Sequence, residues 1–311
     1  MGDRARRLLW NAEFGLLLAL ALALPYSEAL KNLLWLAYPL FWIANRALRH
    51  DWGGRWTGWD TLVVLWLGGA YLSAAFAGLH NNEWGDTTEL AMYVIVFWLV
   101  LRGGYEAVRL RWILGALLLS ALATLWHGYW LLSHYAVRHL QLNSVGHVNH
   151  SAIYLAIVLG AAVAWAFGRW PAWGARRRAG GLAVLAFLAF SLVLMESRGA
   201  IAVAAVCVLF LAVAWWPRWR APLVASVAAI AVALALSVAF GAEFIQKQLR
   251  NVAADNVLSS RDAIWRTGIA GWERYPWFGV GKDNYGLITP ERIRQWRAEA
   301  GKPFDPAQYL P

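Results

Sequence analysis

Long apolar runs alternate along the chain with short segments that carry its charged residues. A membrane-spanning helix needs about 20 apolar residues, and the pattern predicts nine such helices. Their approximate bounds are 8–25, 29–45, 60–79, 88–101, 110–132, 150–168, 181–196, 198–216 and 222–242. The sequence therefore predicts an all-α, polytopic transmembrane helix bundle over residues 1–242.

The last part of the chain has a different pattern, with no further span and with amphipathic segments. Ser259 with Asp262 three residues later resembles a capping box and predicts a helix that ends at Pro276. We expect this helix to bury one face, formed by Trp265, Ile269 and Trp272.

A second short helix is predicted in the same region, where Thr289 and Pro290 give a start signal and Gly301 an end signal. Residues 243–311 are accordingly predicted to form a helical outer cap that lies on the membrane.

Composition agrees with a membrane protein, since 60% of the residues are hydrophobic and 22 are tryptophan. The net charge of +10 comes largely from arginines in short loops. Arginines in such loops indicate how the chain is oriented in the membrane, and they do not indicate nucleic-acid binding. Alternate loops carry fifteen Lys or Arg residues and the opposite loops only three. This predicts a cytoplasmic N-terminus, with residues 26–28, loops 80–87 and 133–149, hinge 196–198 and the residues after about 243 facing outward.

Two arginines are predicted at helix starts on the outward-facing side of the membrane. Arg198 begins the eighth span and Arg261 lies in the first turn of the capped helix. Helix N-termini and guanidinium groups both bind phosphate, so the pair suits a lipid-linked diphosphate. The alternatives are that Arg198 extends to the membrane interface and that Arg261 pairs with Asp262 or Glu273.

Polar residues also open the sixth span, where His147 and His150 flank Asn149. Two histidines at this spacing can bind zinc or relay a proton, but no carboxylate or cysteine lies nearby in sequence, and no metal is predicted. Asn149 or Ser151 could cap the helix, and Asn149 with His150 could contact a substrate head group.

Two further motifs are not predicted to bind a ligand. Gly279–Asp283 contains Gly-Lys but lacks the spacing of a phosphate-binding loop, so it predicts a turn. Glu83, Asp86 and Glu89 form an acidic cluster in an outer loop, where solvated side chains are expected.

Four elements resemble the O-antigen ligase and polymerase superfamily of bacterial envelope glycosyltransferases: Gly146–Ser151, Ser197–Ala200, Ser260–Trp265 and Tyr275–Gly281. The resemblance implies a GT-C-like fold. It also implies a metal-independent, cofactor-free, inverting transfer of a glycan from undecaprenyl diphosphate to a lipid A core sugar hydroxyl. This transfer takes place at the periplasmic face of the bacterial inner membrane, so the resemblance makes residues 243–311 a periplasmic region.

Arg198 and Arg261 match the family arginines that hold the diphosphate, and Asn149 with His150 falls in its polar helix-start motif. Family members continue into a histidine motif, assigned to the base or to acceptor activation, and into further spans. This sequence stops at Pro311, so we expect that the chain is either truncated before further spans or a divergent member, and we leave the base unassigned.

Other functions remain open. An O-antigen polymerase or an O-linked protein oligosaccharyltransferase would share the donor and differ in the acceptor. A membrane transporter is a second alternative, but it should show charged residues or helix breaks in mid-span, and the spans after the fifth are nearly free of both.

Overall fold

The structure is a computed structural model that describes residues 3–135, 140–142, 148–214 and 261–309, with isolated helical residues between 220 and 235. Within these ranges all regular structure is helical, so the all-α prediction is confirmed. The helices are α1 (Asp3–Ala23), α2 (Glu28–Arg49), α3 (Gly58–Ala75), α4 (Glu83–Leu101), α5 (Ala107–His134), α6 (Val148–Arg169), α7 (Ala175–Leu194), α8 (Arg198–Ala214), α9 (Arg261–Arg274) and α10 (Pro290–Glu299).

Each of the first eight predicted spans coincides with one of these helices, while the span predicted at 222–242 falls mostly outside the described residues. In the described part of the chain, four helices are long and apolar enough to cross a membrane: α4, α5, α6 with the turn that follows it, and α7. Helix α8 is apolar but shorter. These helices fit a helical membrane protein, and the number of nine spans stays a prediction.

The chain forms two compact units. The first unit comprises Met1–Asn45 with Tyr105–Lys247, and the second comprises Arg46–Gly104 with Gln248–Pro311. The predicted boundary at residue 242 separates residues inside the membrane from residues outside it. The division into two units does not test this boundary, so it stays a prediction.

In the first unit, α1 and α5 run parallel and in register. Arg109 donates a hydrogen bond to Asn11 Oδ1 at 3.0 Å, and the Ser120 hydroxyl donates to the Leu22 carbonyl about three turns further on. Both bonds join residues 98 positions apart, which fixes the direction and the register of the two helices.

A buried carboxylate connects α1 with α2 in this unit. Glu13 is fully buried, and it accepts hydrogen bonds from Asn45 Nδ2 at 2.5 Å and from the Tyr105 hydroxyl at 2.7 Å. The Tyr38 hydroxyl lies 3.0 Å from that of Tyr105. Burying a carboxylate is costly unless its oxygens are hydrogen-bonded, so these contacts tie the position of α2 to that of α1.

In the second unit, Asp60 joins α3 to α4. It lies in the first turn of α3 and accepts hydrogen bonds from Trp98 Nε1 at 2.6 Å, from Arg102 Nη1 at 2.7 Å and from the Thr57 amide at 2.6 Å. Charge-assisted bonds of this kind are among the strongest that side chains form, so the end of α4 is held at the start of α3.

The segment after α9 is attached to the connection between α3 and α4. The amide of Gly78 donates to the Gly279 carbonyl at 3.0 Å, and that of Leu79 donates to the Val280 carbonyl at 3.3 Å. A Cβ atom on Gly78 would lie 2.3 Å from the Tyr275 ring, so only glycine fits this approach. Gly279 has a φ of 68°, which agrees with the predicted turn.

Asn284 completes this attachment. It is fully buried, and its Nδ2 lies 2.8 Å from the Leu79 carbonyl, 3.1 Å from the Val280 carbonyl and 3.3 Å from Glu83 Oε2. Glu83 is itself buried and accepts a hydrogen bond from the Asn81 amide at 2.7 Å. The expectation of a solvated side chain at Glu83 is therefore wrong, because the carboxylate is needed to pair buried donors.

Helix α9 ends at Arg274, just before Pro276 as predicted, but the prediction of its buried face is wrong. Trp265, Ile269 and Trp272 are at least half exposed, whereas Thr267, Ala270 and Gly271 are buried. The small side chains allow close packing, since a Cβ atom on Gly271 would lie 2.7 Å from Ile288 Cδ1. The exposed aromatic face is the one that suits a membrane surface.

Helix α10 has the predicted end signals. The Thr289 hydroxyl accepts a hydrogen bond from the Arg292 amide, Pro290 is the first helical residue, and Gly301 follows the helix with a φ of 64°. The backbone N–H of Glu291 and the Thr289 hydroxyl hold the pKa of the Glu291 carboxyl below its usual value.

We predict that Asn284→Ala destabilises the second unit by about 1–3 kcal/mol, because Glu83 and two carbonyls lose a buried donor. Thermal unfolding of the purified full chain in detergent should show a lower midpoint. Limited proteolysis should show faster cleavage between residues 275 and 289. Asn82→Ala is the matched control, since this asparagine is exposed and bonds only locally to Asp86. Equal midpoints for the two variants would contradict the anchoring role.

Candidate functional site

Arg198 is the first residue of α8, as predicted, and its position depends on a three-residue turn after α7. Ser197 is the N-cap residue: its carbonyl accepts from the Ile201 amide at 3.0 Å, and its hydroxyl lies 3.4 Å from the Ala200 amide. Ser197 is buried, whereas Arg198 is exposed. The turn thus presents a guanidinium beside the N-terminal amides of a helix, a place that favours anions.

Glu196 gives this turn its shape. It has a φ of 57°, in the left-handed region that residues other than glycine rarely occupy. Its amide donates to the Val193 carbonyl at 3.0 Å, while Met195 beside it is fully buried. A left-handed residue could not be predicted at this position, because Asn and Gly are the residues that usually indicate one.

Asn149 and His150 lie in the first turn of α6, and both are exposed. Ser151, a possible cap residue in the sequence analysis, is fully buried instead, and its hydroxyl accepts from the Leu142 amide at 3.1 Å. It holds the preceding segment against the helix. His147 lies outside the described residues.

The starts of α6 and α8 lie at one end of the first unit. The Tyr129 hydroxyl, near the end of α5, lies 3.0 Å from Ser191 Oγ, near the end of α7. Helices α5 and α7 therefore end at the same end of the unit. The short connections after α6 and after α7 reverse the chain twice, so α6 and α8 run parallel to each other. A Cβ atom on Gly160 would lie 3.7 Å from Cys207 Cβ, a pairing that places α6 and α8 side by side.

This register brings three predicted site residues to the same end of the unit. Gly160 is eleven residues after Asn149, and Cys207 is nine residues after Arg198. Because α6 and α8 are parallel, their first residues lie within about one helical turn of each other along the helix axes. Asn149, His150 and Arg198 thus share one end and are all exposed.

Arg261, the fourth predicted site residue, belongs to the second unit. It is the first described residue of α9 and is exposed, with Asp262 beside it in the first turn. The predicted cap residue Ser259 lies outside the described residues. Arg266, five residues further along α9, donates a hydrogen bond to Gln308 Oε1 at 3.2 Å.

Chemically, the arrangement offers cationic and hydrogen-bonding groups at helix starts. Arg198 and Arg261 supply planar guanidinium groups that can bind phosphate oxygens in pairs, and Asn149 and His150 supply polar groups for hydroxyls or phosphate. Such groups stabilise negative charge on a leaving group.

Comparison with known proteins identifies one family. Residues 182–308 match the family model described as O-antigen ligase, a span that begins within α7 and extends past α10. No curated protein and no solved structure matches the chain. The matched span contains Arg198, Arg261 and the Tyr275–Gly281 segment. It therefore includes three of the four elements that carry the sequence resemblance. Residues 182–308 are therefore similar to the O-antigen ligase family, which supports the family assignment made from the sequence resemblance.

Proposed function

We propose that the protein is an O-antigen ligase type glycosyltransferase. It moves a glycan from undecaprenyl diphosphate to a sugar hydroxyl of lipid A core, at the periplasmic face of the bacterial inner membrane. One observation carries the proposal: the O-antigen ligase match includes both helix starts that present an arginine. The helical membrane fold and the predicted sidedness support it.

In the proposed reaction, the acceptor hydroxyl attacks the anomeric carbon of the glycan, whose configuration inverts. The bond from this carbon to the diphosphate oxygen breaks, and undecaprenyl diphosphate leaves with the electron pair. The acceptor proton passes to a base that remains unassigned. Arg198 and Arg261 bind the diphosphate and stabilise the charge that grows on it, which is a metal-independent form of leaving-group stabilisation.

Asn149 and His150 are proposed to bind the polar head of the substrate. The support is their position, since both are exposed in the first turn of α6 at the same end of the first unit as Arg198. Neutral hydrogen bonds orient a substrate more than they stabilise developing charge. Their expected contribution is therefore to binding.

The acceptor distinguishes this proposal from its closest alternatives. An O-antigen polymerase would use a growing glycan as acceptor, and an O-linked protein oligosaccharyltransferase would use a protein hydroxyl. Both would use the same lipid-linked donor and the same arginines. Supplying the three acceptors separately to the purified protein, with labelled donor, separates these functions.

We predict that Arg198→Ala and Arg261→Ala each lower glycan transfer by about 100-fold or more, because each removes a donor to the leaving group. The measurement is attachment of O-antigen to lipid A core in cells that lack their own ligase, seen as a lipopolysaccharide ladder on a gel. Arg266→Ala and Arg177→Ala are matched controls, since these exposed arginines lie on α9 and α7 but outside the proposed site.

Normal ladders from both arginine variants, at normal protein levels, would refute the proposed diphosphate site. If glycan transfer falls equally in the control variants, the effect comes from the change in net charge and not from the proposed site. Arg→Lys variants should restore only part of the activity, because lysine cannot form the paired contact.

We further predict that Asn149→Ala and His150→Ala raise KM for the donor by about 10-fold and change kcat less, as expected for groups that bind substrate without stabilising the transition state. Initial rates with purified protein and labelled donor provide the measurement. Ser133→Ala is the control, because this hydroxyl bonds within its own helix. A fall in kcat with constant KM would contradict a binding role.

A further inference from the structure

An apolar groove lies between α1, α5 and α6 in the first unit, with a volume of about 650 Å³. Its walls include Leu18, Leu22, Trp112, Leu119 and Trp165. Arg111 and Arg169 are the charged residues that line it, and no carboxylate does. A groove with this lining suits a molecule that has both an apolar chain and an anionic head.

The two arginines lie at the same end of the groove. A Cβ atom on Gly115 would lie 3.5 Å from the Trp165 ring, which pairs these positions on the antiparallel helices α5 and α6. Arg111 is four residues before Gly115, and Arg169 is four residues after Trp165. Each arginine is therefore one helical turn from the pair, in the same direction.

The leucines extend toward the other end. Leu119 is eight residues after Arg111 on α5, a rise of about 12 Å along the helix. The register of α1 with α5 places Leu22 level with Ser120, next to Leu119. The groove thus has a cationic end and an apolar stretch that is long enough for much of an acyl chain.

The guanidinium groups of this groove are available for a ligand, in contrast to that of Arg109. Arg109 packs on the rings of Trp10 and Phe14 and donates to Asn11. Arg111 uses Nε for the Ala107 carbonyl, which leaves its two Nη groups. Among the described residues, neither Arg111 nor Arg169 forms an ion pair.

We propose that this groove binds one anionic phospholipid, with the phosphate between Arg111 and Arg169 and an acyl chain along Leu22 and Leu119. Basic pockets between membrane helices are known to bind such head groups. The arginines lie at the opposite end of α5 from Tyr129, and so at the opposite end of the first unit from Arg198. The site is thus separate from the proposed transferase site and does not depend on it.

Native mass spectrometry of the full chain tests the proposal. The detergent-purified protein is equilibrated with equal amounts of phosphatidylglycerol and phosphatidylcholine that carry identical acyl chains. The wild type should retain one phosphatidylglycerol in preference to phosphatidylcholine. The Arg111→Gln/Arg169→Gln double variant should bind phosphatidylglycerol about tenfold or more weakly, because two cations near the phosphate are lost.

The Arg176→Gln/Arg177→Gln double variant is the matched control. It removes the same charge from exposed positions in the first turn of α7, and its affinity should stay within about twofold of wild type. The Arg111→Lys/Arg169→Lys variant, which keeps the charge, should restore most of the binding and provides a second test if the glutamine variant unfolds. Unchanged binding in the glutamine variant, equal losses in the control, or no restoration by lysine would overturn the proposal.

Discussion

The turn Met195–Ser197 is the constraint on which the arrangement of the first unit depends. Three residues reverse the chain between two apolar helices, so α8 must begin at the end of the unit where α7 ends. Glu196 adopts a left-handed conformation to make the reversal possible, and Ser197 caps the next helix. As a result, Arg198 is exposed beside helix-start amides and shares its end of the unit with the start of α6.

The second unit depends on buried polar pairing rather than on a short turn. Asn284 and Glu83 are both buried, although each carries groups that must be hydrogen-bonded. Their mutual contact and their bonds to loop backbone fix the segment that follows α9 against the start of α4. The pairing joins residues 201 positions apart, so the position of Asn284 depends on Glu83, which lies much earlier in the chain.

Much of the fold could be predicted, because the length of an apolar run and the residues that mark the start and end of a helix are local properties of the sequence. The helix starting at Arg198 and the helix bounded by Thr289 and Gly301 follow from such signals. The buried face of α9 could not be predicted from local signals. Its helix packs through Gly271 rather than through its large side chains, and this packing depends on Ile288, which lies outside the helix. Glu83 was missed for the same reason: its partner Asn284 is distant in sequence.

The central claim is that Arg198 and Arg261 bind one diphosphate together. A double-mutant cycle measures this directly: the affinity of the purified full chain for undecaprenyl diphosphate is determined for wild type, Arg198→Gln, Arg261→Gln and the double variant. Groups that contact the same ligand group should show a coupling energy of about 1 kcal/mol or more. Losses that add to within about 0.5 kcal/mol would show independent sites and contradict the claim.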